Sequence, residues 1–160
     1  MRCAKIGILD SGIGGLTVAR AIGDVMPSAH LIYFGDTARM PYGDRPPDQI
    51  VRFVREIIAF LLDQGVDAIA VACNTSSALA LPEMQGDFDV PIRGMIECGA
   101  IAAVEASRTG RIGVIATANT VRSGAYGKAI ISLRPAAHVV QQACPLLVPM
   151  IERGEVSGER

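Results

Sequence analysis

Short apolar runs alternate along the chain with longer segments whose apolar residues recur at helical spacing. The short runs predict strands at residues 4–9, 30–34, 68–72, 92–95, 111–117 and 138–142. The segments between them predict helices ending at residue 26, over 48–64, from 74 to about 82, over 98–107, from 119 to the proline at 135, and over 146–151. Strands that alternate with helices are typical of α/β proteins, so the sequence predicts an α/β fold built on parallel sheets.

The segment 67–77, Asp-Ala-Ile-Ala-Val-Ala-Cys-Asn-Thr-Ser-Ser, is the most informative stretch. Its uninterrupted apolar run predicts a strand that is buried on both faces and ends at Cys73. Ligands of parallel sheets bind at the carboxyl ends of strands, and a thiol at the start of a helix is favoured as the thiolate. The alternative is an inert buried cysteine, since free cysteines are often buried, and these residues alone do not decide between the two interpretations.

Two other predicted strand ends carry polar groups. The first strand is followed by Asp10, Ser11 and a glycine-rich turn. This turn does not match a dinucleotide-binding fingerprint, which would need a further glycine where Thr17 stands. Asp10 could belong to a site at the strand end, or it could serve only to cap the next helix. The loop after the second strand contains Pro-Tyr-Gly at 41–43, which could offer a hydroxyl and N–H groups to a carboxylate or serve only as a turn anchor. Because parallel strand ends meet at one edge of a sheet, we expect these groups to gather around Cys73.

Composition narrows the function classes. The 160 residues are 50% hydrophobic, carry a net charge of −1 and include no tryptophan, so a soluble globule is expected and nucleic acid is not an expected partner. The four cysteines are widely spaced and only two histidines exist, which supports neither a disulfide framework nor a metal site. The first apolar run is interrupted by Asp10 and glycines, and no run reaches membrane-spanning length, so a cytoplasmic protein with no membrane partner is expected.

Several motifs, in this order, resemble those of the glutamate racemase family, cofactor-independent members of the aspartate/glutamate racemase superfamily. They are Gly-Ile-Leu-Asp-Ser-Gly-Ile-Gly-Gly at 7–15, Pro-Tyr-Gly at 41–43 and Ala-Cys-Asn-Thr at 72–75, and the likeness continues through 113–117 and 144–149. The resemblance implies parallel-sheet αβα sandwich domains. It also implies that glutamate is inverted at its α-carbon by two cysteines without pyridoxal phosphate or another cofactor, which supplies D-glutamate for peptidoglycan. A homodimer is compatible with it.

The resemblance also implies roles for individual residues. Cys73 is the first of the two thiols, Asp10 assists it, and Glu152 matches the family's carboxylate near the second thiol. The implied contacts to the small-molecule substrate, glutamate, are Asp10, Ser11, Pro41, Tyr42, Gly43, Asn74, Thr75 and Thr117.

One part of the family pattern is absent from this sequence, the Cys-Thr-His motif that carries the second thiol. Cys144, which precedes a proline, matches a structural position instead. We therefore expect a fragment or truncated product, with residues 1–94 forming the N-terminal part of an incomplete first α/β domain and residues 95–160 most of a second, ending in a polar tail, 155–160, without a packing face. The alternatives are a non-catalytic remnant or interaction module and, among enzymes, an aspartate or hydantoin racemase.

Overall fold

A computed structural model describes residues 3–155 and contains two parallel sheets. The first sheet has the order β2-β1-β3-β4, and the second pairs β5 with β6. The strands are β1 (Lys5–Asp10), β2 (His30–Gly35), β3 (Ala68–Val71), β4 (Ile92–Gly94), β5 (Arg111–Ala116) and β6 (His138–Ala143). The prediction of an α/β fold with parallel sheets is confirmed.

The helices follow the predicted order, with differences at their boundaries. They are α1 (Leu16–Val25), α2 (Pro47–Asp63), α3 (Asn74–Leu79), a 3₁₀ turn (Leu81–Met84), α4 (Met95–Ala106), α5 (Ala118–Ser123), α6 (Ala125–Leu133) and α7 (Leu147–Glu152). Helix α3 ends at Leu79, before the predicted end near residue 82. Helix α4 begins at Met95, three residues before the predicted start at Cys98. The Met95 N–H, which has no partner within the helix, donates to the Ser77 hydroxyl over 3.0 Å, so a distant side chain satisfies this helix end.

The single helix predicted from residue 119 to Pro135 is wrong, because the segment forms two helices that meet at Gly124. Gly124 adopts a left-handed conformation (φ +65°), and its N–H closes α5 by donating to the Val121 carbonyl. The Ser123 hydroxyl then accepts the Ala125 N–H at the start of α6. An isolated glycine in a helical pattern is tolerated, so the sequence did not reveal this break.

Both faces of the first sheet are covered, as the apolar run before Cys73 predicts for β3. Helix α2 packs on one face and buries Ile50, Phe53, Val54, Ile57, Ile58 and Leu61 against a core that includes Leu9, Ile69 and Val71. On the other face, Ile6 and Ile8 pack against Val18 and Ile22 of α1. Burial on both faces holds the carboxyl ends of β1 and β3 side by side.

The second sheet is smaller and covered on one face within the described residues. Ile112 packs with Ala100 of α4 and Ile130 of α6, whereas Ile115 and Val140 are 67% and 56% exposed.

The predicted domain boundary after residue 94 coincides with the end of β4, and the division into two domains stays a prediction. Within residues 3–155 we find no helix with the length and apolar character needed to cross a bilayer. The predicted unpacked tail lies outside the described residues, except for Glu155.

Candidate active site

The carboxyl ends of β1 and β3 open into a cleft of about 410 Å³. Among its lining residues are nine that the sequence predicted: Asp10, Ser11, Tyr42, Gly43, Cys73, Asn74, Thr75, Thr117 and Glu152. Pro41 is the exception, since it is exposed and does not line the cleft. The strand-end rule placed Asp10 and Cys73 at this cleft, and the family resemblance added Glu152, which lies 142 positions after Asp10 in the sequence.

Cys73 connects β3 to α3 and is 6% exposed. Its sulfur accepts the Ser76 N–H over 3.4 Å, so Cys73 itself is the N-cap of α3, and Asn74 is the first residue of the helix. The thiol contacts the Ser11 hydroxyl over 3.6 Å. A hydroxyl can donate as well as accept, so Ser11 and the Ser76 N–H can both donate to the sulfur once it is ionised.

The turn that carries Cys73 is held by Ser77. The Ser77 hydroxyl can donate its proton to either of two carbonyls, that of Val71 at 2.9 Å or that of Cys73 at 2.8 Å. The same hydroxyl accepts a hydrogen bond from the Met95 N–H. These contacts join the end of β3 to the first turn of α4. The direction in which the thiol faces is therefore fixed by neighbouring elements as well as by its own helix.

Asp10, the last residue of β1, is 6% exposed. Its Oδ2 atom accepts the N–H groups of Gly12 and Gly15, each over 3.1 Å. Helix α1 starts only after Gly15 and receives no hydrogen bond from a side-chain cap. Asp10 thus stabilises the glycine-rich turn ahead of the helix and does not act as its N-cap.

Two further groups hold the same turn. The Tyr33 hydroxyl donates to the Gly12 carbonyl over 2.8 Å. Burial raises the pKa of Tyr33, and the negative charges of Asp10 and Glu152 raise it further. Glu152, at the end of α7, accepts the Ile13 N–H over 3.2 Å, which brings a second carboxylate to the turn. Within the described residues, no cluster of three histidine, cysteine or acidic side chains could hold a metal ion.

Tyr42 is 2% exposed, and its hydroxyl donates to the Asp36 carboxylate. Asp36 also pairs with the Arg39 guanidinium over 2.7 Å. Burial raises the pKa of Tyr42, and the bond to Asp36 raises it further. The sequence left two roles open for this hydroxyl, a donor to a bound carboxylate or an anchor of the turn. In the structure it anchors the turn through Asp36.

Three threonine hydroxyls connect the start of α3 to the start of α5. Thr75 lies 2.9 Å from Thr117 and 3.3 Å from Thr120, and Thr117 lies 3.0 Å from Thr120. Each hydroxyl has one proton to donate, so the group can satisfy itself or turn a donor toward an anion. The sequence indicated Thr75 and Thr117 but not Thr120, which has no motif of its own.

The sequence also missed Tyr126, which lines the cleft from α6. Its hydroxyl donates to the Asn74 side-chain oxygen over 2.6 Å, which leaves the Asn74 amide N–H groups as donors. Burial raises the pKa of Tyr126, and the nearby Cys98 thiol raises it further. Cys98 and Met95 of α4 line the cleft as well. The only signal in the sequence was a tyrosine within a helix of otherwise small, aliphatic and polar residues.

The charges of the cleft are of one sign. Among its described lining residues, Asp10 and Glu152 carry carboxylates, and none is a lysine or arginine. An ammonium group would thus meet full negative charges, whereas a carboxylate would meet neutral hydroxyl and N–H donors. This arrangement suits a zwitterionic amino acid whose α-carbon lies near the Cys73 thiol.

Comparison with known families agrees with the motifs. A family model described as Asp/Glu/Hydantoin racemase matches residues 16–158. The chain belongs to this family. It is 51% identical, over 97% of its length, to the glutamate racemase of Desulforudis audaxviator, of which it covers 57%. The chain thus spans somewhat more than half the length of this curated relative.

Solved structures of the family share the fold. The glutamate racemase of Aquifex pyrophilus superimposes with a TM-score of 0.85 at 48% identity, over 97% of this chain and 61% of that one. The glutamate racemase of Francisella tularensis, in complex with D-glutamate, superimposes with a TM-score of 0.89 at 39% identity, over 98% of this chain and 58% of that one. Two predictions made from the motifs are therefore confirmed: the resemblance to glutamate racemases and the racemase-type fold.

Proposed function

We propose that this chain is part of a glutamate racemase, in which Cys73 transfers the α-proton on one face of the amino acid. The observation that carries the proposal is the position of the Cys73 thiol, buried at a strand end beside two carboxylates and several neutral donors. The relatives named above are glutamate racemases, and one was solved with D-glutamate bound. These names favour glutamate over aspartate or a hydantoin.

In the proposed reaction, the Cys73 thiolate takes the α-proton, and the electron pair of the broken C–H bond moves toward the α-carboxylate. The Ser11 hydroxyl and the Ser76 N–H stabilise the negative charge of the thiolate before the proton is transferred. Asn74 and the threonine hydroxyls stabilise the carboxylate as negative charge builds on it, a task suited to preorganised donors in a site that excludes water. Asp10 binds the ammonium group and assists the thiol.

Inversion requires a donor on the opposite face of the α-carbon. The family resemblance assigns that step to a thiol in a Cys-Thr-His motif that these 160 residues do not contain, near which Glu152 would act. The chain alone therefore serves one face only. The whole enzyme would convert L-glutamate to D-glutamate without a cofactor. It would act in the cytoplasm, and its product would be used to make peptidoglycan.

Proton NMR in heavy water tests this proposal on the 160-residue chain. One enantiomer of glutamate should exchange its α-proton for deuterium with retention of configuration, because Cys73 can remove and return a proton on the face that it meets. Cys73→Ala should abolish the exchange. Cys144→Ala, which changes a cysteine outside the cleft lining, is the matched control and should preserve it.

Three results would contradict the proposal. Undiminished exchange in Cys73→Ala would exclude Cys73 as the base. Conversion of one enantiomer into the other by the chain alone would show that a second donor, such as Cys98 of the cleft lining, already delivers a proton to the opposite face. A folded chain, as judged by circular dichroism, that exchanges neither enantiomer would show that the cleft does not perform this chemistry.

A further inference from the structure

Asn119 is a buried amide whose hydrogen-bonding groups are all used. It is 5% exposed and lies in the first turn of α5. Its side-chain nitrogen donates to the carbonyls of Tyr42, over 3.1 Å, and Arg45, over 2.8 Å, while its oxygen accepts from the Arg122 guanidinium over 3.1 Å. Carbonyls only accept and a guanidinium only donates, so these partners determine the orientation of the amide.

The backbone of Asn119 adds a third bond to the same segment. Its N–H donates to the Gly43 carbonyl over 3.2 Å. Gly43 in turn packs on Thr117, since a β-carbon at Gly43 would lie 3.1 Å from the Thr117 β-carbon. One residue of α5 thus binds three carbonyls of the segment from Tyr42 to Arg45, and the neighbouring Thr117 limits how closely the segment can approach.

These bonds join two separate parts of the molecule. The segment 42–45 follows β2 of the first sheet, whereas α5 follows β5 of the second sheet. Tyr42 and Gly43 line the cleft on one side of this joint, and Thr117 lines it on the other. Any loosening of the joint would therefore change the spacing between cleft-lining groups without removing one of them.

We propose that Asn119 is a positioning residue that fixes segment 42–45 to α5 and thereby sets the shape of the glutamate cleft. The choice of glutamate as the ligand rests on the proposed function. The claim that Asn119 holds segment 42–45 in place does not depend on it. Asn119 does not line the cleft, so its effect on a bound amino acid would pass through Gly43 and Thr117.

Asn119→Asp is the discriminating substitution because it preserves the shape of the side chain. A carboxylate oxygen in place of the amide nitrogen would face the two carbonyls of Tyr42 and Arg45 with no proton to donate, while the pairing with Arg122 would be kept. Arg122→Gln is the matched control. It removes the guanidinium bond to the Asn119 oxygen and leaves both donor bonds to the segment in place.

Hydrogen exchange measured by mass spectrometry on the full chain tests the structural step. In Asn119→Asp, the amides of residues 42–45 should exchange about tenfold faster, as expected when about 1.4 kcal/mol of local stability is lost. Exchange in α2 should be unchanged, and Arg122→Gln should resemble the unaltered chain. Calorimetry should show D-glutamate binding about tenfold more weakly to Asn119→Asp than to Arg122→Gln.

Unchanged exchange at residues 42–45, or an increase that extends equally through α2, would overturn the proposal. A loosened segment with an unchanged dissociation constant for D-glutamate would also overturn it, because the joint would then not shape the cleft. If the unaltered chain bound no glutamate, the proposed function would fail, while the exchange data would still decide whether Asn119 holds the segment.

Discussion

Asp10 combines two tasks that the sequence could not separate. Its Oδ2 atom accepts two N–H groups of the glycine-rich turn, and the residue lines the cleft that contains Cys73. A residue that only stabilised the turn would not need a negative charge, since a neutral oxygen can accept the same bonds. The charge itself is therefore the property to test.

We expect Asp10→Asn to lower the rate of α-proton exchange by roughly 10²- to 10⁴-fold, the range typical of general acid–base groups. The amide oxygen can still accept from Gly12 and Gly15, so the thermal midpoint should change little. Exchange by NMR and thermal unfolding by circular dichroism measure the two quantities. Asp24→Asn, on the exposed side of α1, is the control. Near-normal exchange combined with a large loss of stability would show that Asp10 is structural.

At the scale of elements, the turn between β1 and α1 depends on close packing at Gly15. A β-carbon there would lie 2.7 Å from the Asp10 β-carbon and 2.9 Å from the Ala72 β-carbon, although φ is an ordinary −65°. Gly23, within α1, has no such neighbour, because its nearest contact would be Leu31 at 3.9 Å. The two glycines therefore have different reasons to be present.

We predict opposite effects of alanine at these two positions. Gly15→Ala should lower the free energy of unfolding by about 1–3 kcal/mol, since the rigid β-carbons must separate. Gly23→Ala should raise it by roughly 0.4–1 kcal/mol, because alanine restricts the unfolded chain and fits a helix. Urea denaturation of both variants measures the difference. A Gly15→Ala protein as stable as Gly23→Ala would show that the turn is not tightly packed.

At the scale of the whole molecule, the three tyrosines of the chain act as anchors around the cleft. Tyr33 bonds to the turn after β1, Tyr42 to the carboxylate after β2, and Tyr126 links α6 to Asn74. Burial raises the pKa of each above its ordinary value of 10.0. The folded chain therefore favours the protonated phenol at all three positions.

This leads to a prediction for alkaline pH. Above about pH 10 an unfolded tyrosine loses its proton while the folded one keeps it, so the unfolded state binds fewer protons and stability falls as pH rises. The contribution should be fully present below that pH. Thermal midpoints measured between pH 8 and 11 should thus decline above about pH 10. Tyr126→Phe removes one such group and should decline less steeply; equal slopes would contradict the assignment.

Much of this arrangement was determined by the sequence itself, because it depends on local patterns. Apolar runs place the ends of all six described strands to within one residue. The continuous run before Cys73 predicts a strand covered on both faces, and the strand-end rule then places Asp10 and Cys73 at one cleft. The family motifs add the remaining predicted residues. These features could be predicted because strand periodicity and parallel topology follow from neighbouring residues and short connections.

Only the tertiary structure decided which polar groups bind one another. Asn119 bonds to a carbonyl 77 positions away, and Tyr126 to an amide 52 positions away, and neither residue belongs to a recognisable motif. The Tyr42 hydroxyl is bound to Asp36 because both are buried together, and Gly124 ends α5 although its neighbours favour a helix. Such choices depend on the exact positions of packed elements, since a hydrogen bond is sensitive to displacements of a few tenths of an ångström that no local pattern specifies.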